Sequence, residues 1–291
     1  MLKPGRAEAP GEPIEELWII AGRRSGKTRG IAALGAYLAA CCSYKDVLGP
    51  GERGTLPILA ASTQQAQQTL NFVKGIFTGI PRFAKLVDNI TADGVSLRTK
   101  VDIQIRPASF RTIGAIAEEC SVWQSDELGS KNPDREILTA LRPALATTGG
   151  ALFCIGSPHA KRRETWRTFK RHFGSQGNPA VLVANGETRL FNPTISQSVI
   201  DRAYEEDPAV AASEWDGQFR SDLEGYTSFE AIEALIERGV TVREREAGRV
   251  YQAHVDASGA GQDSFTCAIG HIDKGIGYLD CLLEQRPPFS P

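Results

Sequence analysis

The 291-residue sequence lacks the cysteine and histidine patterns of metal sites and of disulfide-stabilised domains. Its six cysteines include no pair with C-x-x-C spacing, and its four histidines are scattered along the chain. These absences argue against a zinc site and against a disulfide framework. They suit a protein of the reducing cytosol.

Long apolar runs are missing as well. A membrane-spanning helix needs about 18 or more consecutive apolar residues, and a secretory signal needs a shorter apolar segment near the start of the chain. The sequence has neither, and its first residues are polar and rich in proline. We therefore expect an intracellular protein with no membrane partner.

An excess of charge of one sign is also absent, because the net charge is −2. Any contact with DNA must then come from local clusters of Lys and Arg, since these displace counterions from phosphates. A hydrophobic fraction of 41%, a charged fraction of 23% and 29 glycines fit a soluble α/β enzyme rather than a disordered or fibrous chain.

Strands and helices alternate from Leu17 onward, after a loose tail at residues 1–16. This alternation predicts a mostly parallel sheet covered by helices on both faces. The charged stretch Asp216–Gly248 is interpreted as mainly helical and as a linker. Beyond it, short strands joined by glycine-containing turns predict an antiparallel meander. These strands are expected at Val250–Asp256, Ser264–Ile272 and Gly277–Leu283.

The strongest local pattern is a phosphate-binding loop. An apolar strand beginning at Leu17 runs into Ala21-Gly-Arg-Arg-Ser-Gly-Lys-Thr28 and then into a helix, which is the context of a Walker A loop. In such a loop Lys27 neutralises the β- and γ-phosphates and the Thr28 hydroxyl binds Mg²⁺. We also expect Arg24 to contact the γ-phosphate as a catalytic residue. The predicted ATP-binding residues are Gly22, Arg23, Arg24, Ser25, Gly26, Lys27 and Thr28.

An ATPase of this type also needs an acidic pair at the end of a neighbouring strand. Glu118 and Glu119 follow the apolar strand 113–117, whereas the alternative pair, Asp126 and Glu127, follows a segment too polar for a central strand. Burial favours the first pair. Glu118 is then predicted to bind Mg²⁺ and Glu119 to polarise the attacking water.

Five segments together resemble the large subunit of phage terminases, the ATP-driven motors that package viral DNA and cut it. The resemblance rests on the Walker A loop, a strand-to-helix segment, a Walker B-like acidic pair, a coupling motif and a segment before the nuclease. They read AGRRSGKT (21–28), AASTQQAQ (60–67), AEECSVW (117–123), CIGSP (154–158) and EWDGQFRSDL (214–223). The sequence departs from the family pattern at Ala21, at Glu118, which replaces an aspartate, and in a short approach to the acidic pair at 109–114.

The resemblance implies an ATPase that moves double-stranded DNA into a capsid. It places Ser157 where the family has a γ-phosphate sensor. It also implies a ribonuclease H-like nuclease beginning at Tyr251, with Asp256 as catalytic metal ligand, Asp263 as a second ligand, and Mg²⁺ or Mn²⁺ bound. The implied partners are a portal protein, a small terminase subunit and further copies in a ring, in the cytoplasm of a bacterial host.

The predicted domains are an ATPase at 1–225, a linker at 226–248 and an incomplete nuclease meander at 249–291, expected to be inactive. A basic helix at 161–173 carries Arg163, Arg167, Lys170 and Arg171 on one face, which suits contact with a phosphate backbone or simply with solvent. Two other functions stay open. One is a helicase-like repair ATPase, and the other is a non-catalytic prophage remnant that binds nucleotide.

Overall fold

The computed structural model of the protein describes residues 10–105, 111–123, 133–161, 163–174, 177–220, 229–256 and 264–285. The chain divides into two compact units, Met1–Gly225 and Tyr226–Pro291. Each unit has its own sheet.

Within the described part of the first unit, eight strands form one sheet in the order β3-β4-β5-β2-β6-β7-β1-β8. The strands are β1 (Glu16–Ala21), β2 (Gly54–Leu59), β3 (Val87–Ile90), β4 (Gly94–Leu97), β5 (Val101–Gln104), β6 (Gly114–Glu118), β7 (Ala151–Gly156) and β8 (Val181–Gly186). The five pairings from β5 through β2, β6, β7 and β1 to β8 are parallel, and β3 and β4 add an antiparallel edge.

Helices connect these strands. The described helices of the first unit are α1 (Lys27–Cys41), α2 (Thr63–Gly79), α3 (Pro81–Ala84), α4 (Pro133–Ala146), α5 (Arg163–His172), α6 (Thr188–Phe191), α7 (Gln197–Glu206) and α8 (Pro208–Glu214). A short 3-10 turn, Cys120–Val122, follows β6.

The sheet separates two apolar cores. Side chains of successive strand residues point to opposite faces, so Ile116 of β6 packs in the core with α1 and α2, while Ala115 and Ala117 pack in the core with α4. Trp18 of β1 is 1% exposed and belongs to the α4 side. Strands buried on both faces explain the near-continuous apolar runs in the sequence.

The predicted mixed α/β fold with a mostly parallel sheet is confirmed. Within this sheet, β4 and β5 form an antiparallel hairpin. The short elements β3, α3, α6 and α8 had not been predicted. Each has four to seven residues, too few to show a clear periodicity.

The described part of the second unit contains a three-stranded antiparallel sheet in the order β11-β10-β9. Its strands are β9 (Tyr251–Asp256), β10 (Phe265–Asp273) and β11 (Ile276–Gln285). The predicted meander is therefore present, with its strand positions within a few residues of those expected. Lys274 and Gly275, both with positive φ, form the turn between β10 and β11.

The charged stretch before this sheet differs from its prediction. Asp216–Gly248 was expected to be mainly helical, but in its described part beyond the first unit only α9 (Phe229–Leu235) is a helix. Residues 236–248 form turns and irregular backbone, with Gly239 and Gly248 at positive φ. Gly239 lies four residues beyond the end of α9, and its positive φ is incompatible with continuation of the helix.

Candidate active site

Three adjacent parallel strands, β1, β7 and β6, end at the same edge of the large sheet. The residues that follow them are the phosphate-binding loop, Ser157 and Glu119. Because carboxyl ends of parallel strands meet, these distant parts of the sequence lie around one cleft of about 1060 Å³. Its lining includes Arg23, Arg24, Ser25, Gly26, Lys27, Thr28, Glu119 and Ser157.

The loop enters α1 through Gly26, whose φ of 85° is a left-handed conformation that favours glycine. Helix α1 has no side-chain cap and no acidic residue in its first turn. Its first N–H groups are therefore without the usual capping partner, and the positive end of the helix dipole faces the cleft. This arrangement favours an anion.

Lys27 connects the loop to the two neighbouring strands. Its ammonium donates hydrogen bonds to the carbonyl oxygens of Ala21 (3.2 Å) and Gly22 (3.3 Å) and to Ser157 Oγ (3.0 Å). It also lies 3.6 Å from Glu119 Oε1, and the Lys27 side chain is only 9% exposed. Burial lowers the pKa of Lys27, and the nearby Glu119 carboxylate opposes that shift.

Glu119 faces the cleft because the chain turns sharply at this residue. Its φ is 51°, a left-handed conformation, and its N–H donates to the carbonyl of Ile155 at 2.7 Å. The carboxylate accepts a hydrogen bond from the backbone N–H of Ser157 at 3.0 Å. Glu119, Lys27 and Ser157 thus form one connected polar group.

Glu118 points away from that group. It is the last residue of β6 and is 5% exposed, and its carboxylate accepts a hydrogen bond from the buried hydroxyl of Thr69 on α2. Burial, followed by repulsion from Glu119, raises the pKa of Glu118 to about 8. Its predicted role as a Mg²⁺ ligand therefore stays a prediction, and Glu118 does not line the cleft.

The hydroxyl of Ser25 supplies a test of whether the loop fits a phosphate group. It is buried and has no hydrogen-bond partner among the described residues. A buried hydroxyl is normally hydrogen-bonded, so its position in a loop that favours anions fits a phosphate oxygen acceptor. Thr28 lines the same cleft one residue after Lys27, where its hydroxyl suits Mg²⁺.

Several cleft residues were not predicted from the sequence. Gln65, Gln68 and Phe72 lie on one face of α2, and their spacing of three and four residues could have indicated a shared face. Asn192 comes from a later part of the chain, where no local pattern indicates a site, and Glu214 opens the segment 214–223, to which the resemblance assigned no role in the nucleotide site.

Of the two predicted nuclease ligands, the structure describes only Asp256. Asp256 ends β9 and is exposed. Asp263 and the alternative acidic pair Asp126 and Glu127 lie outside the described residues. Among the residues that are described, no three His, Cys, Asp or Glu side chains form a group that could hold a metal ion.

The basic helix is only partly available for a partner. Arg163 is engaged by Asp134 (3.7 Å) and by the carbonyl of Trp123 (3.1 Å). Arg167 and Arg171 are exposed, although Arg167 lies 3.8 Å from Glu164. These two arginines share a groove with Arg135 and Arg142 of α4. Glutamates line the same groove, and Arg142 is paired with two of them, Glu16 (2.7 Å) and Glu164 (3.7 Å).

Comparison with solved structures reveals the same fold in phage proteins. The HK97 bacteriophage large terminase aligns with 91% of this chain at a TM-score of 0.55 and 15% sequence identity. The large terminase of a thermophilic bacteriophage, in complex with ADP, aligns with 94% at a TM-score of 0.52 and 11% identity. The chain has the fold of the phage large terminases.

The alignments cover different shares of the solved structures. The chain spans 58% of the length of the HK97 structure and 63% of the thermophilic-phage structure with ADP. The ATPase domain of the Thermus phage P74-26 large terminase aligns with 72% of this chain, over 90% of its own length, at a TM-score of 0.52 and 14% identity. No family model and no curated protein sequence matches the chain.

None of the described helices is long and apolar enough to span a membrane.

Replacement of Glu118 by glutamine should change how stability depends on pH. The folded-state pKa of about 8 lies above the value of about 4.3 for an exposed glutamate. As the pH rises from about 4.3 to 8, the unfolded chain ionises Glu118 and the folded chain does not, so the wild type loses stability. Glu118→Gln should therefore be more stable at pH 9, by on the order of 2–5 kcal/mol, and equal to the wild type near pH 4.

Denaturant unfolding at several pH values would measure this difference. Glu187→Gln, which changes an exposed glutamate of the same unit, is the matched control and should show no comparable pH trend. A constant difference between Glu118→Gln and the wild type from pH 4 to 9 would contradict the raised pKa.

Proposed function

We propose that this chain binds ATP with Mg²⁺ in the cleft and hydrolyses it, and that it acts as the ATPase part of a large terminase that moves double-stranded viral DNA. One observation carries the proposal. Lys27, Ser157 and Glu119, from three separate strand ends, meet at the mouth of a phosphate-binding loop.

The loop supplies the groups that phosphates need. The hydroxyl of Ser25, which has no partner among the described residues, and the first N–H groups of α1 are donors, and Lys27 supplies a positive charge. The exposed side chains of Arg23 and Arg24 line the cleft, and we assign Arg24 to the γ-phosphate. The thermophilic-phage terminase structures, with ADP and with ATP-γ-S, support a nucleotide as the ligand, because they share this fold.

We assign the water-orienting role to Glu119, since its carboxylate faces the cleft and contacts Ser157. Mg²⁺ would neutralise the charge that develops on the phosphates. We assign the Thr28 hydroxyl to Mg²⁺. Glu118 can bind Mg²⁺ only if its carboxylate gives up the hydrogen bond from Thr69. The proposal includes this change of partner.

DNA, a portal protein, a small subunit and a ring of copies are proposed partners on the strength of the fold. Arg167 and Arg171 are the proposed contacts with the DNA backbone because both are exposed in the groove between α4 and α5. A contact to phosphates carries no sequence information, which suits an enzyme that must move along any sequence.

ATP hydrolysis should depend on Lys27 and Glu119 in different ways. Lys27→Ala removes the charge that holds the phosphates, so both nucleotide affinity and kcat should fall, the affinity by about tenfold or more. Glu119→Gln keeps the shape but removes the carboxylate, so kcat should fall by about 10²–10⁴-fold while nucleotide affinity is retained.

The assay is steady-state phosphate release with and without DNA, together with ADP binding. Arg98→Gln, at the far end of the sheet, is the control. If Lys27→Ala hydrolyses ATP as fast as the wild type, the ATPase proposal fails. Nucleotide binding without hydrolysis in the wild type would instead favour a non-catalytic protein.

Loss of Arg167 and Arg171 should reduce the salt dependence of DNA binding. Each phosphate contact contributes about 0.9 to the slope of log K against log salt. The double variant Arg167→Gln and Arg171→Gln should therefore lower the slope by up to about 2. The matched control is Arg82→Gln with Arg98→Gln, two exposed arginines near the opposite sheet edge. An unchanged slope would remove this groove from the DNA interface.

The 291-residue chain should not cut DNA. Two-metal hydrolysis needs several carboxylates around a shared pair of ions, and Asp256 has no such group among the described residues. Incubation of plasmid DNA with the chain and Mn²⁺ should leave it supercoiled. Nicking that Asp256→Ala abolishes, and that Asp273→Ala does not, would show that the prediction is wrong.

A further inference from the structure

Side chains that follow β8 donate hydrogen bonds to the backbone of the first half of the phosphate-binding loop. The hydroxyl of Thr188 donates a hydrogen bond to the carbonyl oxygen of Arg23 at 2.8 Å. The side-chain amide of Asn192 donates to the carbonyl oxygen of Arg24, also at 2.8 Å. Two consecutive peptide groups of the loop are therefore fixed by two side chains of one short helical turn, α6 and its C-cap.

These contacts determine where the loop N–H groups point. In a planar trans peptide the C=O of one residue and the N–H of the next point in opposite directions. With the carbonyls of Arg23 and Arg24 directed at Thr188 and Asn192, the N–H groups of Arg24 and Ser25 point the other way. Neither N–H donates a hydrogen bond to a described residue, so both can donate to an anion.

Thr188 is itself held firmly. It is 0% exposed, and its backbone N–H donates to the carbonyl of Trp215 at 2.7 Å. The neighbouring carbonyl of Glu214 accepts from the Arg23 N–H at 2.5 Å, and the Glu214 carboxylate lies 2.9 Å from the Arg23 guanidinium. The contact between Thr188 and the loop is therefore part of the buried interior of the first unit and not an isolated surface contact.

The loop packs closely against Thr188 and Trp215 at Gly22. A Cβ on Gly22 would overlap Thr188 Oγ1 and would lie 2.6 Å from the carbonyl oxygen of Trp215. Contacts this short do not occur in folded proteins, so the loop can approach Thr188 only because residue 22 is glycine.

We propose that Thr188 and Asn192 are positioning residues that hold the peptide groups of Arg23 and Arg24 so that the loop N–H groups receive the phosphates of the nucleotide. The proposal rests on the proposed nucleotide site and adds to it a second set of residues from a distant part of the chain. An unsupported loop would have to order itself on binding, and that cost weakens affinity.

Removal of the Thr188 hydroxyl tests the proposal. Thr188→Val keeps the size and β-branching of the side chain but cannot donate to Arg23, and it should raise the Kd for ADP about tenfold, as expected for one lost hydrogen bond. Thr188→Ser keeps the hydroxyl and should bind ADP within about threefold of the wild type. Binding is measured by calorimetry on the whole chain.

Thr148→Val is the matched control. Thr148 is also a buried threonine whose hydroxyl donates to a backbone carbonyl, that of Thr112. It lies just before the start of β7, whereas the cleft lies at the other end of that strand. This variant should lose a similar amount of stability and keep its ADP affinity. Equal affinity of Thr188→Val and the wild type would overturn the proposal.

Two further measurements cover the cases in which Thr188→Val does not fold or the wild type binds no ADP. If Thr188→Val does not fold, Asn192→Ala replaces it, because Asn192 is near the surface; unchanged ADP affinity in that variant overturns the proposal. If the wild type itself binds no ADP, the proposed nucleotide site fails. Hydrogen exchange of the Arg23 amide, which donates to the carbonyl of Glu214, is then measured without nucleotide. Faster exchange in Asn192→Ala or Thr188→Val is expected, and unchanged exchange contradicts the proposal.

Discussion

The structure of the cleft depends on one buried positive charge, the ammonium of Lys27. A charge removed from water is costly unless other groups replace its hydration. Here the carbonyl oxygens of Ala21 and Gly22, the hydroxyl of Ser157 and the carboxylate of Glu119 do so. Each partner comes from the end of a parallel strand, so the polar group can exist only if β1, β7 and β6 are neighbours in register.

Two consecutive glutamates have opposite surroundings for the same geometric reason. Glu118 is the last residue in extended conformation, and its side chain lies among the buried groups beside α2. The left-handed turn at Glu119 directs the next side chain into the cleft. A carboxyl group with a raised pKa and another that contacts Lys27 therefore stand side by side, which is a common arrangement in sites that handle protons.

Much of this arrangement could be predicted from the sequence because it depends on local patterns. The apolar strand before Ala21, the glycine at 26 and the Lys-Thr pair indicate the loop, and the apolar run 113–117 indicates the strand before the acidic pair. The burial of Glu118 against Thr69 could not be predicted, because it depends on how α2 packs against β6. The roles of Thr188 and Asn192 were missed for a similar reason, since a single threonine in a short helical turn has no pattern of its own.

The position of the first loop glycine has a consequence for recognising related chains. Ala21 still belongs to β1, where it pairs with Gly186 and has no positive φ, so this position does not need glycine. The absence of a side chain is required one residue later, where the backbone of residue 22 lies against Thr188. A sequence search that insists on glycine at the earlier position would pass over proteins built in this way. A pattern that fixes the later glycine, and asks for a small hydroxyl residue after the strand corresponding to β8, would retain them.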